Sequence, residues 1–441
     1  MTMAHGTWCR PSEVLSAQGE GMQHGGEGAR TGNLCASILR SLGMQGHEQN
    51  RIHPLVDDIG PAAPAQAGLH VVHGVLSLEL GGLERLVVDL VKSGRDKGYR
   101  NSIVCIDRPG QLASAAEAFG AEVHCLGDES ERPLATARAR MLFERIRPDV
   151  LHTHQIGALW HLGRALDPAR RAAVVHTEHS DHVRMARGIG AKLRSRWWWH
   201  AAGRHADVFC CVSEDIARSV RRWGTVDAAK VCVIANGVDT GLYGDPGQRL
   251  RIRGQWGIPP DARVIGMVGR LNEVKRQELM LRAFARLQPA RPDLWLLLVG
   301  DGPEREPLQA LALELGVAAN TRFTGYQPRT EHYYPAMDLF ALTSRHEGLP
   351  LSLLEAWACG LPVVSSAVGG IPRVVEHGRT GLLFDEGDQT ALAACIGKVL
   401  DQPGLGAALG TAGRQQVLAD YSLQRVADQY QQRYRSALAA G

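Results

Sequence analysis

The stretch Leu339–Pro372, LFALTSRHEGLPLSLLEAWACGLPVVSSAVGGIP, holds the fold in miniature. Its apolar run Leu339–Thr343 has the length of a buried strand, and a second such run is Pro362–Ser365. Between them Pro350 reads as an early helical residue, since its fixed φ and missing N–H suit a first turn. The helix continues through Glu355 and stops at Gly360, with Pro362 just behind. Strand, helix, strand is the parallel β-α unit.

Two acids in this stretch, Glu347 and Glu355, suggest chemistry. On one helix they would lie about 80° apart and ~12 Å up the axis. Gly348 and Pro350 disfavour that, so Glu347 belongs to the loop and Glu355 to the helix. The backbone N–H groups near Gly348–Leu351 then form a helix N-terminus, a ready anion site. Carboxylates suit sugar and ribose hydroxyls because each accepts two hydrogen bonds. On spacing alone, a loop glutamate plus an exposed helical one is an equal reading.

Outward from here the same alternation repeats. Apolar runs recur at Leu69–Leu76, Ile103–Ile106, Val123–Leu126, Val150–His152, Ala173–His176, Val208–Val212 and Val231–Ala235. A second series reads Val264–Val268, Leu294–Val299, Arg322–Thr324, Leu339–Thr343, Pro362–Ser365 and Gly381–Phe384. Stretches of helical spacing separate them, such as Leu83, Leu86, Val87, Leu90 and Val91. A break rich in Gly and Pro at 240–262 divides the series. The expected fold is α/β, with two Rossmann-like doubly wound parallel-sheet domains facing a central cleft. The boundaries are a disordered segment over 1–67 with at most a short helix near Cys35–Leu42, a first domain over 68–240, a second over 241–421, and a last helix over 422–441. A start assigned too far upstream would leave the same first segment.

At 441 residues the chain exceeds one ordinary core, and 44% hydrophobic with 22% charged residues is globular composition. A net charge of +3 makes no case for nucleic acid. The nine cysteines are odd in number and form no C-x-x-C pair, which suggests small buried hydrophobes in a reducing compartment. No signal-peptide stretch opens the chain. Its longest apolar run, Leu294–Val299, is far short of the ~20 residues that span a bilayer. The expectation is a cytoplasmic protein.

Further motifs sit at strand ends. Arg270 and Lys275 in Gly269–Arg276 follow a strand and can converge on a diphosphate, or be ordinary surface cations. Gly300-Asp301-Gly302-Pro303 is a tight turn that lets backbone approach a ligand. Gly81-Gly82 opens a helix after the first strand, as a phosphate loop or a plain turn. His73, His152, His154, His176, His179 and His182 read as strand-end histidines facing a polar cleft, with a metal site as the alternative. No H-E-x-x-H or Asp-x-Asp occurs, so no metal is expected.

In order along the chain, GGLERLVVDL, HTEHS, CVSE, VIANGVD, GRLNEVKR, LLVGDGPER, FTGY and the E-x7-E block ending in GGIP resemble glycosyltransferase family 4, the retaining enzymes of GT-B fold. The resemblance covers about residues 69–440. It implies that Arg270 and Lys275 hold a donor diphosphate and that Glu355 binds the nucleotide ribose. Glu347 would lie beside the donor sugar, with Gly348 and Leu349 offering N–H groups. It places Gly82 near the phosphates, His179 near the sugar's C6 hydroxyl, and Gly302, Tyr326 and Gln327 at the base pocket. The last helix would cross back to the first domain. No metal or other cofactor is implied.

The function so implied is retaining transfer of a hexosyl group from a nucleotide-diphosphate sugar to a glycan or lipid-linked acceptor, in bacterial exopolysaccharide or cell-surface glycan synthesis. Rivals are a sugar-nucleotide epimerase or hydrolase, a catalytically idle partner in a polysaccharide assembly complex, and a metal-dependent hydrolase. Residues 182–206 carry Arg184, Arg187, Lys192, Arg194, Arg196 and Arg204, no acid, and Trp197-Trp198-Trp199. That composition suits peripheral contact with the inner face of an anionic membrane, a grip on a lipid diphosphate acceptor, or tryptophans packed into the first domain.

Overall fold

The computed structural model describes residues 68–79, 81–167, 172–186 and 188–440. The expectations for residues 1–67 lie outside them. The described residues form one compact unit.

The first half lays down β1 (His70–Ser77), α1 (Gly82–Asp96), β2 (Arg100–Arg108), α2 (Ala113–Ala118), β3 (Glu122–Cys125), α3 (Arg132–Ile146), β4 (Val150–His154) and α4 (Ile156–Gly163). It continues with β5 (Ala173–Glu178), α5 (His182–Met185), α6 (Ile189–Gly203), β6 (Val208–Cys211), α7 (Glu214–Trp223) and β7 (Val231–Val233). These strands form one sheet in the order β3-β2-β1-β4-β5-β6-β7, with every neighbouring pair parallel.

The second half opens with α8 (Gly247–Gln255), a helix inside the stretch read above as a break. Its Arg253 is buried and bonded to Ala336 O, Ala262 O and Asp338, an anchoring that local Gly and Pro content does not reveal. Then come β8 (Arg263–Val268), α9 (Gln277–Leu287), β9 (Leu294–Val299), α10 (Arg305–Glu314), β10 (Thr321–Phe323), β11 (Leu339–Leu342), α11 (Leu351–Ala358), β12 (Val363–Ser366), α12 (Ile371–Val374), β13 (Leu382–Phe384), α13 (Gln389–Asp401), α14 (Pro403–Asp420) and α15 (Leu423–Ala440). This sheet is ordered β10-β9-β8-β11-β12-β13, again all parallel. Both sheets are doubly wound, and their switch points fall between β1 and β4 and between β8 and β11. Open α/β sheets bind ligands beyond the strand ends at such points.

The last helix leaves the second sheet and packs on the first. Val426, Tyr430 and Tyr434 join Val71, Val150, Val175 and Cys210 in one core. The tyrosine hydroxyls meet polar groups inside that sheet: Tyr434 at His152 Nδ1, 2.7 Å, and Tyr430 at Thr177 Oγ1, 3.1 Å. The two chain crossings run side by side, with Val238 N–H donating to Tyr421 O and Leu423 N–H to Val238 O.

Seven cysteines lie among the described residues, all free. Glycine is required where the loops after β8 and β9 meet. Gly300 has φ +138°, and a Cβ there would stand 2.0 Å from Gly269 O. Gly300→Ala is expected to cost about 1–3 kcal/mol by strain and overpacking. Gly190→Ala, in open space on α6, should be neutral or slightly stabilising. Urea unfolding of both variants checks the pair, and equal stabilities would contradict the assigned backbone.

Candidate active site

The strand ends of both sheets line one cleft of about 1150 Å³. On its wall are the residues to which the resemblance assigned roles: Gly82, His179, Arg270, Lys275, Gly302, Tyr326, Gln327, Glu347, Gly348, Leu349 and Glu355. Chain folding thus brings together groups from α1 and β5 in one half with groups following β8, β9, β10 and β11 in the other.

The loop after β8 is built to present its cations. Asn272 Oδ1 accepts from Lys275 N–H, 3.1 Å, and Thr343 Oγ1 donates to the carbonyls of Lys275 and Arg276 at 2.8 Å each. Lys275 Nζ bonds Glu347 Oε1 at 2.6 Å, and Ser344 Oγ donates to the same oxygen at 2.6 Å. Glu347 is therefore neutralised and fixed in place. The Arg270 guanidinium is exposed and has no protein partner among the described residues. Pro350 stands at the N-cap of α11, just outside the helix, with ψ 128°. It is not a helical residue, because a β-region cap turns the chain out of the loop. Among the described residues the N–H groups of Gly348 and Leu349 make no protein hydrogen bond. Together with the first turn of α11 they offer donors to an anion.

Glu355 faces inward from α11, accepting a hydrogen bond from Tyr334. Burial pushes its carboxyl above the usual range, against the hydrogen bonds of Tyr334 and Tyr243 and the charge of Arg85. Gln327 spends its amide on Thr324 O, 2.9 Å, which shapes the loop beside the exposed Tyr326. Across the cleft Asn236 Nδ2 donates to Leu349 O at 2.7 Å. Gly369, at φ +55°, lets the GGIP loop close on Glu347, whose carbonyl a Cβ would meet at 1.7 Å.

The histidines divide differently from the cleft-facing reading. His73, His152, His154 and His176 are buried inside the first sheet, and among the described residues only His179 of the six lines the cleft. They bond one another and nearby hydroxyls, with His176 Nε2 left 3.9 Å from Glu178, contacts that a strand-end position alone does not disclose. The residue missed most plainly is Glu178. Its fully buried carboxylate accepts from His179 N–H, 3.0 Å, Ser180 N–H, 3.2 Å, and Trp199 Nε1, 3.0 Å, with His182 Nε2 at 3.5 Å. Burial alone would raise it; the facing His182 and His176 hold it well below the usual range. It fixes the backbone that carries His179. Its signal was the HTEHS motif, in which only the second histidine drew attention.

The tryptophans also divide. Trp199 is buried on Glu178 and Trp198 stands edge-on to Trp160. Trp197 is 56% exposed, four residues from Leu193 and eight from Ile189, both exposed.

Two family models cover most of the folded chain: Glycosyltransferase Family 4 over residues 80–242 and Glycosyl transferases group 1 over 248–416. A GDP-mannose-dependent alpha-(1-6)-phosphatidylinositol monomannoside mannosyltransferase of Mycolicibacterium smegmatis is 37% identical over 61% of this chain and 73% of its own. The chain belongs to the group 1, family 4 glycosyltransferases. This glycosyltransferase is also 29% identical to the lipopolysaccharide core biosynthesis glycosyltransferase LpsE of Rhizobium meliloti, over 80% of this chain and 95% of that one. Its GT-B fold matches Anabaena Alr3699/HepE, solved with UDP and glucose, at a TM-score of 0.74 and 24% identity over 83% of this chain and all of that one. Among the described residues no helix is long and apolar enough to cross a membrane.

The Glu178 hub gives a transferase-specific prediction. Glu178→Gln leaves donors around a weaker acceptor and should cost about 1.5–3 kcal/mol of stability and at least tenfold in turnover; unchanged turnover would remove the hub from the site. His182 tests its electrostatics. The facing carboxylate raises the His182 pKa above 6.5, so the pair's contribution is full below about pH 6.5 and fades as pH climbs through the raised value. Wild type should exceed His182→Asn by under about 1 kcal/mol near pH 6, with no difference near pH 9. Melting curves at the two pH values check this.

Proposed function

We propose that this glycosyltransferase moves a hexosyl group from a nucleotide-diphosphate sugar to a glycan or lipid-linked acceptor, retaining the anomeric configuration, in cell-surface glycan or exopolysaccharide synthesis. The observation that carries the reading is that the Arg270 guanidinium and the N–H groups of Gly348 and Leu349, all without protein partners among the described residues, line the same cleft. Together they offer the cleft a cation and backbone donors from two strand-end loops, groups that suit an anion. In the proposal Arg270, Lys275 and the start of α11 stabilise the charge that develops on the departing diphosphate. Glu355 receives the ribose hydroxyls, and Gly302, Tyr326 and Gln327 border the base. Gly82 faces the phosphates across the cleft, while His179 and Glu347 flank the sugar. The relatives' names, a GDP-mannose-dependent enzyme and a structure with UDP, support a nucleotide-sugar donor without choosing its base.

Retention by two displacements would require a carboxylate poised under the anomeric carbon. Of the acids lining the cleft, Glu347 is committed to Lys275 and Ser344, Asp301 to Arg305, Asp215 to Arg218, Glu79 to Arg108, Glu355 to Tyr334 and Asp181 to the Arg184 N–H, while Glu84 is held against its own backbone at the start of α1. We therefore favour same-face substitution, in which the leaving phosphate takes the acceptor's proton. The proposal includes no metal or cofactor. A peripheral place at the inner membrane face is supported by Ile189, Leu193 and Trp197 in one exposed row beside the basic Lys192 and Arg194.

Arg270→Ala should lower turnover at least tenfold, and wild-type turnover should survive chelators. One nucleotide among UDP, GDP and ADP should raise the melting temperature of wild type and not of Glu355→Ala. Donor consumption at full rate without an acceptor would favour the epimerase or hydrolase, and no response to any nucleotide the idle partner. Replacing Ile189, Leu193 and Trp197 by Ser should abolish flotation with anionic liposomes and leave turnover on a soluble acceptor intact.

A further inference from the structure

Behind His179 lies a row of buried imidazoles. His154 Nδ1 is 3.4 Å from His179 Nε2, and His154 Nε2 is 3.4 Å from His73 Nδ1. The His154 and His179 rings are tilted by 35° with centroids 5.6 Å apart, and the His73 and His154 rings lie within 24° of parallel, 5.7 Å apart. His152 stands outside the row: Tyr434 takes its Nδ1 and Thr177 its Nε2. Those two bonds also argue against metal binding by His73, His152 and His154, although their ring nitrogens lie within 4.8 Å of one another.

Burial lowers the pKa of His73 and His179 to about 4 and holds His154 well below its usual value. All three rings are then neutral near pH 7, so each has one N–H and one lone pair. A row of such rings has a single sense, with every N–H pointing the same way. The far end sets which. His73 lines a cavity of about 20 Å³ between α1, β1 and α15, large enough for one water. On its wall Asn101 Oδ1 and Ser93 Oγ are buried without a partner. The Asn101 amide is oriented by Nδ2, which donates to Val91 O and Tyr99 O, so a fixed acceptor is left facing the cavity. Across a water in that cavity, the acceptor draws an N–H from His73.

We infer that His73 and His154 are positioning residues that fix the tautomer of His179. Hydrogen bonds run from His179 Nε2–H to His154 Nδ1, from His154 Nε2–H to His73 Nδ1, and from His73 Nε2–H into the cavity. His179 Nδ1, which has no protein partner among the described residues, is left as a bare acceptor for one hydroxyl of the bound sugar. No proton is transferred; the row selects a hydrogen-bond sense. The sugar as ligand rests on the function proposed above, whereas the tautomer does not.

The test is nitrogen NMR of the full chain labelled with 15N-histidine, without substrate. The expected result is that His73, His154 and His179 are all Nε2–H tautomers. An Nδ1–H tautomer at any of them, or one equivalent of bound zinc in the purified protein, overturns the inference whatever the enzyme's activity. The His73→Phe variant keeps a ring and ends the row at His154. It should give a mixed His179 tautomer, a melting temperature close to wild type, and a kcat/KM about tenfold lower, the worth of one hydrogen bond. Against a set of donors each lacking one hydroxyl, wild type should discriminate strongly at one position and the variant should not. Should His73→Phe fail to fold, the wild-type tautomers still decide. An unaltered His179 spectrum in a folded variant refutes the inference.

Discussion

The backbone pairing of Val238 with Tyr421 and Leu423 is the constraint on which the rest of the molecule depends. Each sheet is complete in itself, and a cleft between two complete sheets has no shape until their separation is fixed. The chain crosses between them twice. By running the crossings side by side and burying Val426, Tyr430 and Tyr434 on the first sheet, the fold turns two covalent links into one joint. Across the cleft lie the packing of Leu351 on the first core, the bond of Asn236 to Leu349 O and the Arg373–Asp215 pair. Partly exposed pairs of this kind fix geometry more than they add stability.

On that frame the site is a set of backbone approaches as much as a set of side chains. Gly300 on Gly269 and Gly369 on Glu347 bring loops closer than any Cβ permits. The loop that carries His179 is held by Glu178, whose burial would be costly without its ring of donors. Lys275 and Glu347 neutralise each other within reach of the cleft. Arg270 therefore remains as a cation with its full charge directed outward.

The strands were legible because parallel strands buried on both faces read as short continuous apolar runs. Leu294–Val299 is the clearest of them. The helix α8 was hidden because a buried Arg253, not an apolar stripe, ties it down. In the cleft, the motifs around Arg270, Lys275, Glu347 and Glu355 were readable since each follows a strand. Glu178, Asn236 and Tyr334 were not, because the side chain or carbonyl that bonds each of them, in Trp199, Leu349 and Glu355, is brought in only by folding. Nor could six scattered histidines be sorted, because the register of β1, β4 and β5 decides which of them meet.

The crossing helix also sets how this architecture can be recombined. α15 follows the second sheet in sequence yet belongs to the core of the first. A graft that took everything after residue 241 from a relative would bring a foreign helix to a surface shaped by Tyr430 and Tyr434, and would sever the His152–Tyr434 bond. Cutting at Val238 and again at Ser422, where the strands of chain already lie together, moves the second half as an insert between paired ends. The polypeptide is thus organised as one domain interrupted by another, and its natural unit of exchange is internal to the chain.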